Sequence, residues 1–520
     1  MIFRSPHPDV HIPDIPLTDY VFQNVEQLGD KPALIEGLTG RVITYAQLYG
    51  AVRRVAAGLA RRGLGKGEVL AILSPNVPEY IVAFHAVASL GGVVTTVNPL
   101  YTVEEVGKQL KDARAKYLVT IPQLLDKARE ACAGTGIEEL FVFGEAEGAT
   151  PFASLLEGGA AELPTVNLNP REDLVALPYS SGTTGVCKGV MLTHRNLVAN
   201  LAQIKGSGHD WSNDNLICVL PLFHIYGLVA VANHGLHCGA TIVTLPRFDF
   251  EQVLKYMQEY RVTVAHLVPP VVLAMTKQPS VEAFDLSSLR MIFSGAAPLS
   301  ESLARACSAR LGCDVVQGYG MTETSPCTHI ASPVTNKPGS VGVCVPNMEC
   351  KVVDLETGAE LGEREEGEIW VRGPQVMLGY LGRAEATAQT IDAEGWLHTG
   401  DIGYADEDGF FFIVDRAKEL IKYKGFQVAP AELEALLLTH SAVADAAVIP
   451  VADDEAGEIP KAFVVKRSEV SADDIISFVA ERVAPHKKIR RVEFIEQIPK
   501  SPSGKILRRL LVERERAAAT

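Results

Sequence analysis

The chain has no apolar run near the roughly 18 residues that would cross a bilayer. Its opening residues, Met1 to Pro8, lack the basic-then-apolar pattern of a secretory leader. These two absences predict a cytoplasmic protein with no integral membrane segment. Positive charge is in deficit, with 48 Lys and Arg against 63 Asp and Glu and a net charge of −15. That balance excludes a generic nucleic-acid binder, and cationic groups serving an anionic ligand must be concentrated locally. Nine cysteines (132, 187, 218, 238, 307, 313, 327, 344 and 350) form no CxxC pair and no metal-ligand spacing, which predicts reduced thiols in a reducing compartment. Repeats and low-complexity tracts are also missing. What is present is 520 residues of ordinary globular composition, 47% hydrophobic and 21% charged, too long for one core and predicted to form two or more domains.

Apolar periodicity predicts α/β architecture. Over the first 170 residues or so, helical and strand patterns alternate: a Thr44/Gln47 capping box opens a helix to about Arg62, and Val69–Leu73 reads as a buried strand. Tyr80–Leu90 (helix), Val93–Val97 (strand), Glu104–Ala113 (helix) and Tyr117–Ile121 (strand) continue the series, as expected for parallel strands covered by helices. A second such stretch runs from about 171 to 320, with strands at Ile217–Leu220, Thr241–Leu245, Val264–Val268 and Met291–Phe293. From about 335 to 415 shorter strands with Gly-rich turns predict a β-rich subdomain. The last hundred residues read as a separate small α+β domain, with helices from Pro430 to about His440 and from Ser471 to about Val483. The boundary is placed between 417 and 418.

Four segments carry chemistry. Tyr179-Ser-Ser-Gly-Thr-Thr-Gly-Val-Cys-Lys188-Gly189 joins hydroxyls and glycines to one lysine, a composition suited to a polyphosphate. It is not the Walker loop, because Lys188 is followed by Gly189 and Val190, so a hairpin is predicted. Gln317-Gly-Tyr-Gly-Met-Thr-Glu323 sets glycines around an aromatic that could stack on a planar ligand, then a carboxylate suited to a divalent cation on phosphates. Gly395-Trp-Leu-His-Thr-Gly-Asp401 places a carboxylate after a turn, where it could accept from ribose hydroxyls. Pro499-Lys-Ser-Pro-Ser-Gly-Lys505 presents a lysine at the end of a bounded loop. Each alone is equally a surface connector, a strand-to-loop turn, a turn-stabilising Asp or a solvated lysine.

In this order and over nearly the full length, the four segments resemble the adenylate-forming acyl-CoA synthetases, the superfamily of firefly luciferase and nonribosomal adenylation domains. Leu222–Tyr226, Ser294–Leu299 and Val414–Pro430 look most similar to 4-coumarate:CoA ligases. The resemblance implies two half-reactions, with ATP, CoA and Mg2+ as partners of a small carboxylic acid. The carboxylate attacks the α-phosphorus of ATP, and CoA thiolate then attacks the acyl-adenylate. It implies that Ser180, Ser181, Gly182, Thr183, Thr184 and Lys188 hold the β- and γ-phosphates, that Thr322 meets the α-phosphate, and that Glu323 helps bind Mg2+. Asp401 and Arg416 would grip the ribose, while Ala296, Gln317 and Gly318 would border adenine and acyl groups. Lys505 would bridge the α-phosphate and the attacking carboxylate, which His224 also meets. Lys418 matches a hinge about which the small domain turns, bringing Lys422 and Gln427 in for the second step, with Lys424, Gly425 and Arg247 on CoA.

The acyl pocket carried over is Tyr226, Ala230, Phe293, Ala296, Gly320, Pro326 and Cys327. Small Ala296 and Gly320 predict a flat slot for a phenylpropenoic acid, with Tyr226 beside its ring. Three positions depart from the plant ligases. Thr324-Ser325 stands where Ala-Gly is usual, Ala230 replaces a residue that is often polar, and Cys187 stands where the phosphate loop usually has Pro. The alternative reading is a medium- or long-chain fatty acyl-CoA synthetase, whose pocket would continue past Cys327 as an apolar tunnel. Luciferase-type oxygenation and a non-catalytic adenylate-binding module are remoter readings; joint retention of Lys188, Glu323, Asp401, Arg416 and Lys505 argues against the module. Monomer and homodimer are both compatible with the sequence.

Overall fold

The computed structural model describes residues 1–157, 163–180, 187–417, 419–423, 426–453, 456–501 and 504–519. Among them, four sheets organise the chain. The first has a parallel centre, Val69–Leu73, Val93–Val97, Ala115–Thr120 and Glu139–Val142. All five residues of Val93–Val97 are buried, which is why the run is continuously β-branched rather than alternating. The helix Tyr45–Arg61 packs here, and its start is fixed by the predicted cap: the Thr44 hydroxyl accepts from Gln47 N–H while the Gln47 side chain accepts from Thr44 N–H.

The second sheet is parallel through Thr241–Thr244, Asn215–Cys218, Val264–Leu267, Met291–Ser294 and Asp314–Gly320. An antiparallel sheet follows, Glu349–Val353, Gly367–Arg372, Leu397–Ala405 and Phe411–Arg416. It is the predicted β-rich subdomain. The C-terminal sheet comprises Ile421–Tyr423, Phe426–Val428, Val443–Asp453, Gly457–Lys466 and Arg491–Phe494. It has cores of its own, one including Ile421, Leu433, Val464 and Ile475, the other Ile449, Phe463, Ile498 and Leu511. The two helices predicted there end at Leu437 and Ala480, a few residues early.

The two predicted α/β stretches exchange strands. Pro32–Glu36 pairs in parallel with Thr241–Thr244 in the second sheet, whereas Leu174–Ala176 and Lys188–Thr193 extend the first. Phe3–Arg4 pairs with Glu349–Cys350 in the β-rich sheet. Apolar periodicity specifies a strand and its buried face, but carries no information about the partner strand. The first two sheets are thus interleaved along the chain.

Candidate active site

The polyphosphate segment folds as the predicted hairpin. Tyr179–Ser180 pairs antiparallel with Lys188–Gly189, and Ser181, Gly182, Thr183 and Thr184 at its tip lie outside the described residues. The Tyr179 hydroxyl donates to Asp112 at 2.7 Å, tying the hairpin to the helix Val103–Asp112. Gly189 packs under the Tyr179 ring, where a Cβ would come within 3.1 Å. The Lys188 ammonium sits 4.6 Å above the Tyr380 ring, a cation–π contact that aims the charge without neutralising it.

Glu323 lies in the single turn Thr322–Thr324 and is buried at 3% exposure. Ser180 and Tyr380 both donate to its Oε1, at 2.7 and 2.9 Å. A buried carboxylate needs such partners. Among the described residues no donor reaches Oε2, so a hard divalent cation fits there, a carboxylate oxygen beside the phosphate hairpin. The half-buried Thr322 stands next to it.

The ribose-side group is equally compact. The buried Asp401 carboxylate accepts from the Tyr319 hydroxyl at 2.7 Å and lies 3.3 Å from the Arg416 guanidinium, on the adjacent strand in register with it. Burial pushes this carboxyl up, against Arg416, Tyr319 and Lys505, which favour its charged form. Lys505 arrives from the C-terminal domain on a tight turn in which Ser501 N–H donates to Lys505 O at 2.8 Å and Lys505 N–H donates to Ser501 Oγ at 3.1 Å. Gly504, at φ +78°, seats against Val268 and Pro270 of the large domain, with room for no side chain; a Cβ would fall 2.9 Å from Val268 Cγ2. Burial first, then the Arg416 charge, push the Lys505 ammonium down to about 8, against the pull of Glu419 and Asp401. The lysine is a desolvated point charge set between Arg416 and two carboxylates.

His224 completes this side. Burial, with the Lys505 charge added, pushes its imidazole down to about 4, so it is neutral near pH 7. Its Nδ1 accepts the Tyr226 N–H at 3.2 Å, which leaves the proton on Nε2 as a donor for a carboxylate or carbonyl oxygen. Beyond it the chain takes a π-helical stretch, Tyr226–Asn233, in which Tyr226 and Ala230, the residues expected to line the acyl pocket, are both buried.

The pocket differs in detail from the predicted slot. Gly320 does not open it: a Cβ there would lie 1.8 Å from the Pro326 carbonyl oxygen, so this glycine is required by the backbone crossing at Pro326 and Cys327. The missing Cβ of Gly318 faces the Phe293 ring, 2.7 Å away, and that of Gly295 faces the Tyr226 ring at 2.8 Å. Gln317 spends its amide on Leu299, accepting from its N–H at 3.0 Å and donating to its carbonyl at 3.1 Å, and so braces the 295–299 loop rather than bordering a ligand through that side chain. That loop exposes Ala296 in the left-handed region, at φ +71°. Tyr319, read as a stacking ring, also donates its hydroxyl to Asp401 at 2.7 Å.

Sequence reasoning missed the cluster that packs against Tyr226 and Phe293. His266 stacks on Phe293 with centroids 5.1 Å apart, and its Nδ1 lies 3.2 Å from the Tyr226 hydroxyl. Trp211 packs edge-on against it at 4.8 Å. His266 sits in an apolar strand with nothing in its spacing to single it out. Tyr380, the ring under Lys188, was equally silent.

Other predicted residues are not gathered into the site. Lys422 is exposed on the strand Ile421–Tyr423, opposite Gln427, whose side chain lies outside the described residues. Arg247 is exposed. Lys418, Lys424 and Gly425 also lie outside the described residues. In this arrangement, Lys505 and not Lys422 faces Asp401 and His224.

The chain is similar to known proteins over nearly its whole length. Residues 21–381 match the family model of AMP-binding enzymes, and residues 432–505 match that of the AMP-binding enzyme C-terminal domain. The 4-coumarate--CoA ligase 1 of Petroselinum crispum is 48% identical over 98% of this chain and 96% of its own. Among solved structures, the anthranilate CoA ligase AuaEII in complex with anthranoyl-AMP superposes with a TM-score of 0.90 at 26% identity, covering 98% of this chain and 99% of that one. ATP-bound MatB from Rhodopseudomonas palustris gives 0.86 at 30% identity, covering 96% and 99%. The chain therefore belongs to the AMP-binding enzyme family of adenylate-forming ligases.

Proposed function

We propose that the protein ligates a hydroxycinnamic-type acid, 4-coumarate or cinnamate, to CoA through an acyl-adenylate, releasing pyrophosphate and AMP. The observation that carries this reading is 48% identity over almost the whole chain to a 4-coumarate--CoA ligase. The packed aromatic and polar cluster of Tyr226, His266 and Trp211 at the expected acyl position supports it too.

In the first half-reaction the hairpin ending at Lys188 cradles the triphosphate, and Asp401 with Arg416 holds the ribose. Neutral His224 donates from Nε2 to the substrate carboxylate, orienting it for in-line attack on the α-phosphorus. The Lys505 ammonium lies where negative charge develops between carboxylate and α-phosphate, and is worth most in that water-poor space. Glu323 would hold Mg2+ through Oε2, and a bound Mg2+ would neutralise charge on the phosphate oxygens. In the second half-reaction the unit 418–520 turns about Lys418, withdrawing Lys505 and bringing the exposed Lys422–Gln427 hairpin to the adenylate, with Lys424, Gly425 and Arg247 toward CoA. The enzyme works in the cytoplasm on these small molecules; among the described residues no helix is long and apolar enough to cross a membrane.

The deciding experiment measures thioester formation with ATP, Mg2+ and CoA across cinnamate, 4-coumarate, caffeate, benzoate, octanoate and palmitate. A kcat/KM at least tenfold higher for the phenylpropenoates is expected. Preference for octanoate or palmitate would replace the substrate class with fatty acids.

A further inference from the structure

Behind the nucleotide-binding strand lies a cluster the ligase chemistry does not use. His329, Cys344 and Cys350 are all fully buried, and one donor atom from each lies within 4.8 Å of the others. Among the described residues, no other group of three His, Cys, Asp or Glu is gathered this closely. His329 and Cys344 are direct cross-strand partners on Cys327–Ile330 and Val343–Cys344, with Nε2 and Sγ 3.5 Å apart. Cys350 comes from a different sheet, on Glu349–Val353, where it opposes Phe3 and Val371. Five residues separate Cys344 from Cys350, and fourteen separate it from His329, so no local spacing announces the group.

The donor set is selective. It holds two thiols and an imidazole and no carboxylate, which disfavours Mg2+ and Ca2+ and suits soft or borderline ions. The His329 ring is anchored from its far side: Nδ1 lies 3.1 Å from the Thr328 hydroxyl, whose oxygen is in turn held 3.1 Å from the Tyr319 carbonyl. That arrangement keeps Nε2 aimed at the sulfurs, as outer hydrogen bonds do for metal-ligating histidines. A divalent ion with two thiolates and a neutral imidazole carries no net charge, and a monovalent ion reaches the same balance with one thiolate and one thiol, so burial meets no large desolvation penalty.

We propose that His329, Cys344 and Cys350 form a structural binding site for a thiophilic d10 cation, Zn2+ or Cu+. Binding releases both thiol protons to solvent for Zn2+ and one for Cu+, and forms S–metal and N–metal bonds without any change of oxidation state. Three donors satisfy Cu+ as they stand, whereas Zn2+ takes a water as fourth ligand. The ion pins the edge of the second sheet to the β-rich sheet. His329 is also the register partner of Tyr319, which holds Asp401, so the staple lies directly behind the ribose-binding group.

The test uses the full-length chain, refolded under reducing, anaerobic conditions with buffered Zn2+ in one arm and Cu+ in the other, then dialysed against a weak chelator. Metal per chain is counted by mass spectrometry. One retained ion in either arm is expected, identifying the cation. Cys344→Ser and Cys350→Ser should lower retention at least tenfold, while Cys307→Ser, which alters a buried thiol in another core, should not. If the serine variants fail to fold, Co2+ substitution of the unaltered chain still decides, since two thiolate ligands give sulfur-to-cobalt charge-transfer bands. Retention below a tenth of an ion per chain in both arms overturns the proposal, as does equal retention in all three cysteine variants or a cobalt spectrum without those bands.

Discussion

Lys505 gives the sharpest test, because its environment predicts both where it titrates and how substrate changes that. Burial and Arg416 depress its ammonium from 10.5 to about 8 in the free enzyme. The sign is that of a cation held at a cost, so proton loss on raising the pH begins near 8 and not near 10.5. At pH 9 a group titrating at about 8 keeps its proton in roughly one molecule in eleven, whereas an ordinary lysine stays about 97% protonated. Pyrophosphate release without CoA isolates adenylation, and cinnamate has no phenol to confuse the profile. The value of kcat/KM for ATP, which reports the free enzyme, should fall about tenfold per pH unit above pH 8. The limb in kcat should lie at higher pH, because a bound triphosphate beside Nζ favours the charged form. Lys505→Arg should run slower yet lose the limb, since a guanidinium does not titrate there. A wild-type kcat/KM that stays flat to pH 10, or a limb that persists in Lys505→Arg, would refute the assignment.

Three further outcomes are expected. Lys422→Ala should leave pyrophosphate release intact and slow thioester formation from a supplied acyl-adenylate at least a hundredfold; selective loss of adenylation would sink its role. Tyr319→Phe deprives buried Asp401 of one donor at 2.7 Å, a loss of about 1–2 kcal/mol that should raise KM for ATP roughly 5- to 30-fold. Its KM for the acid should hold, and a change confined to the acid would contradict the ribose-side placement. Gly320→Ala sets a Cβ 1.8 Å from the Pro326 carbonyl oxygen and should cost about 3 kcal/mol or more in urea unfolding. An unchanged midpoint would restore the open slot at that position.

Legibility divides along a physical line. Elements announced by local chemistry are visible in the sequence: the reciprocal Thr44/Gln47 cap, the strand Val93–Val97 and the hairpin ending at Lys188 all follow from nearest neighbours along the chain. The motifs around Glu323, Asp401 and Lys505, assigned roles by resemblance, are equally visible. What stays hidden depends on closure in space. The pairing of Pro32–Glu36 with Thr241–Thr244 leaves no local trace, and neither do His266 beneath Tyr226 or Tyr380 beneath Lys188. The glycines mislead for the same reason. Gly320 reads as room for a ligand, yet the atom filling that room belongs to Pro326, and only the folded backbone brings it there.

The interleaved sheets also set a timetable for synthesis. Phe3 and Arg4 find their strand partners only at Cys350 and Glu349, so the large domain cannot close until some two-thirds of the chain has left the ribosome. At about 5–20 residues per second, that is a wait of roughly 20–70 s with Phe3 and Arg4 unpaired. The C-terminal domain draws its sheet from within Ile421–Phe494 and faces no such delay. Nascent-chain truncations ending before residue 350 should therefore stay protease-sensitive throughout, without a protected intermediate at the 170-residue mark.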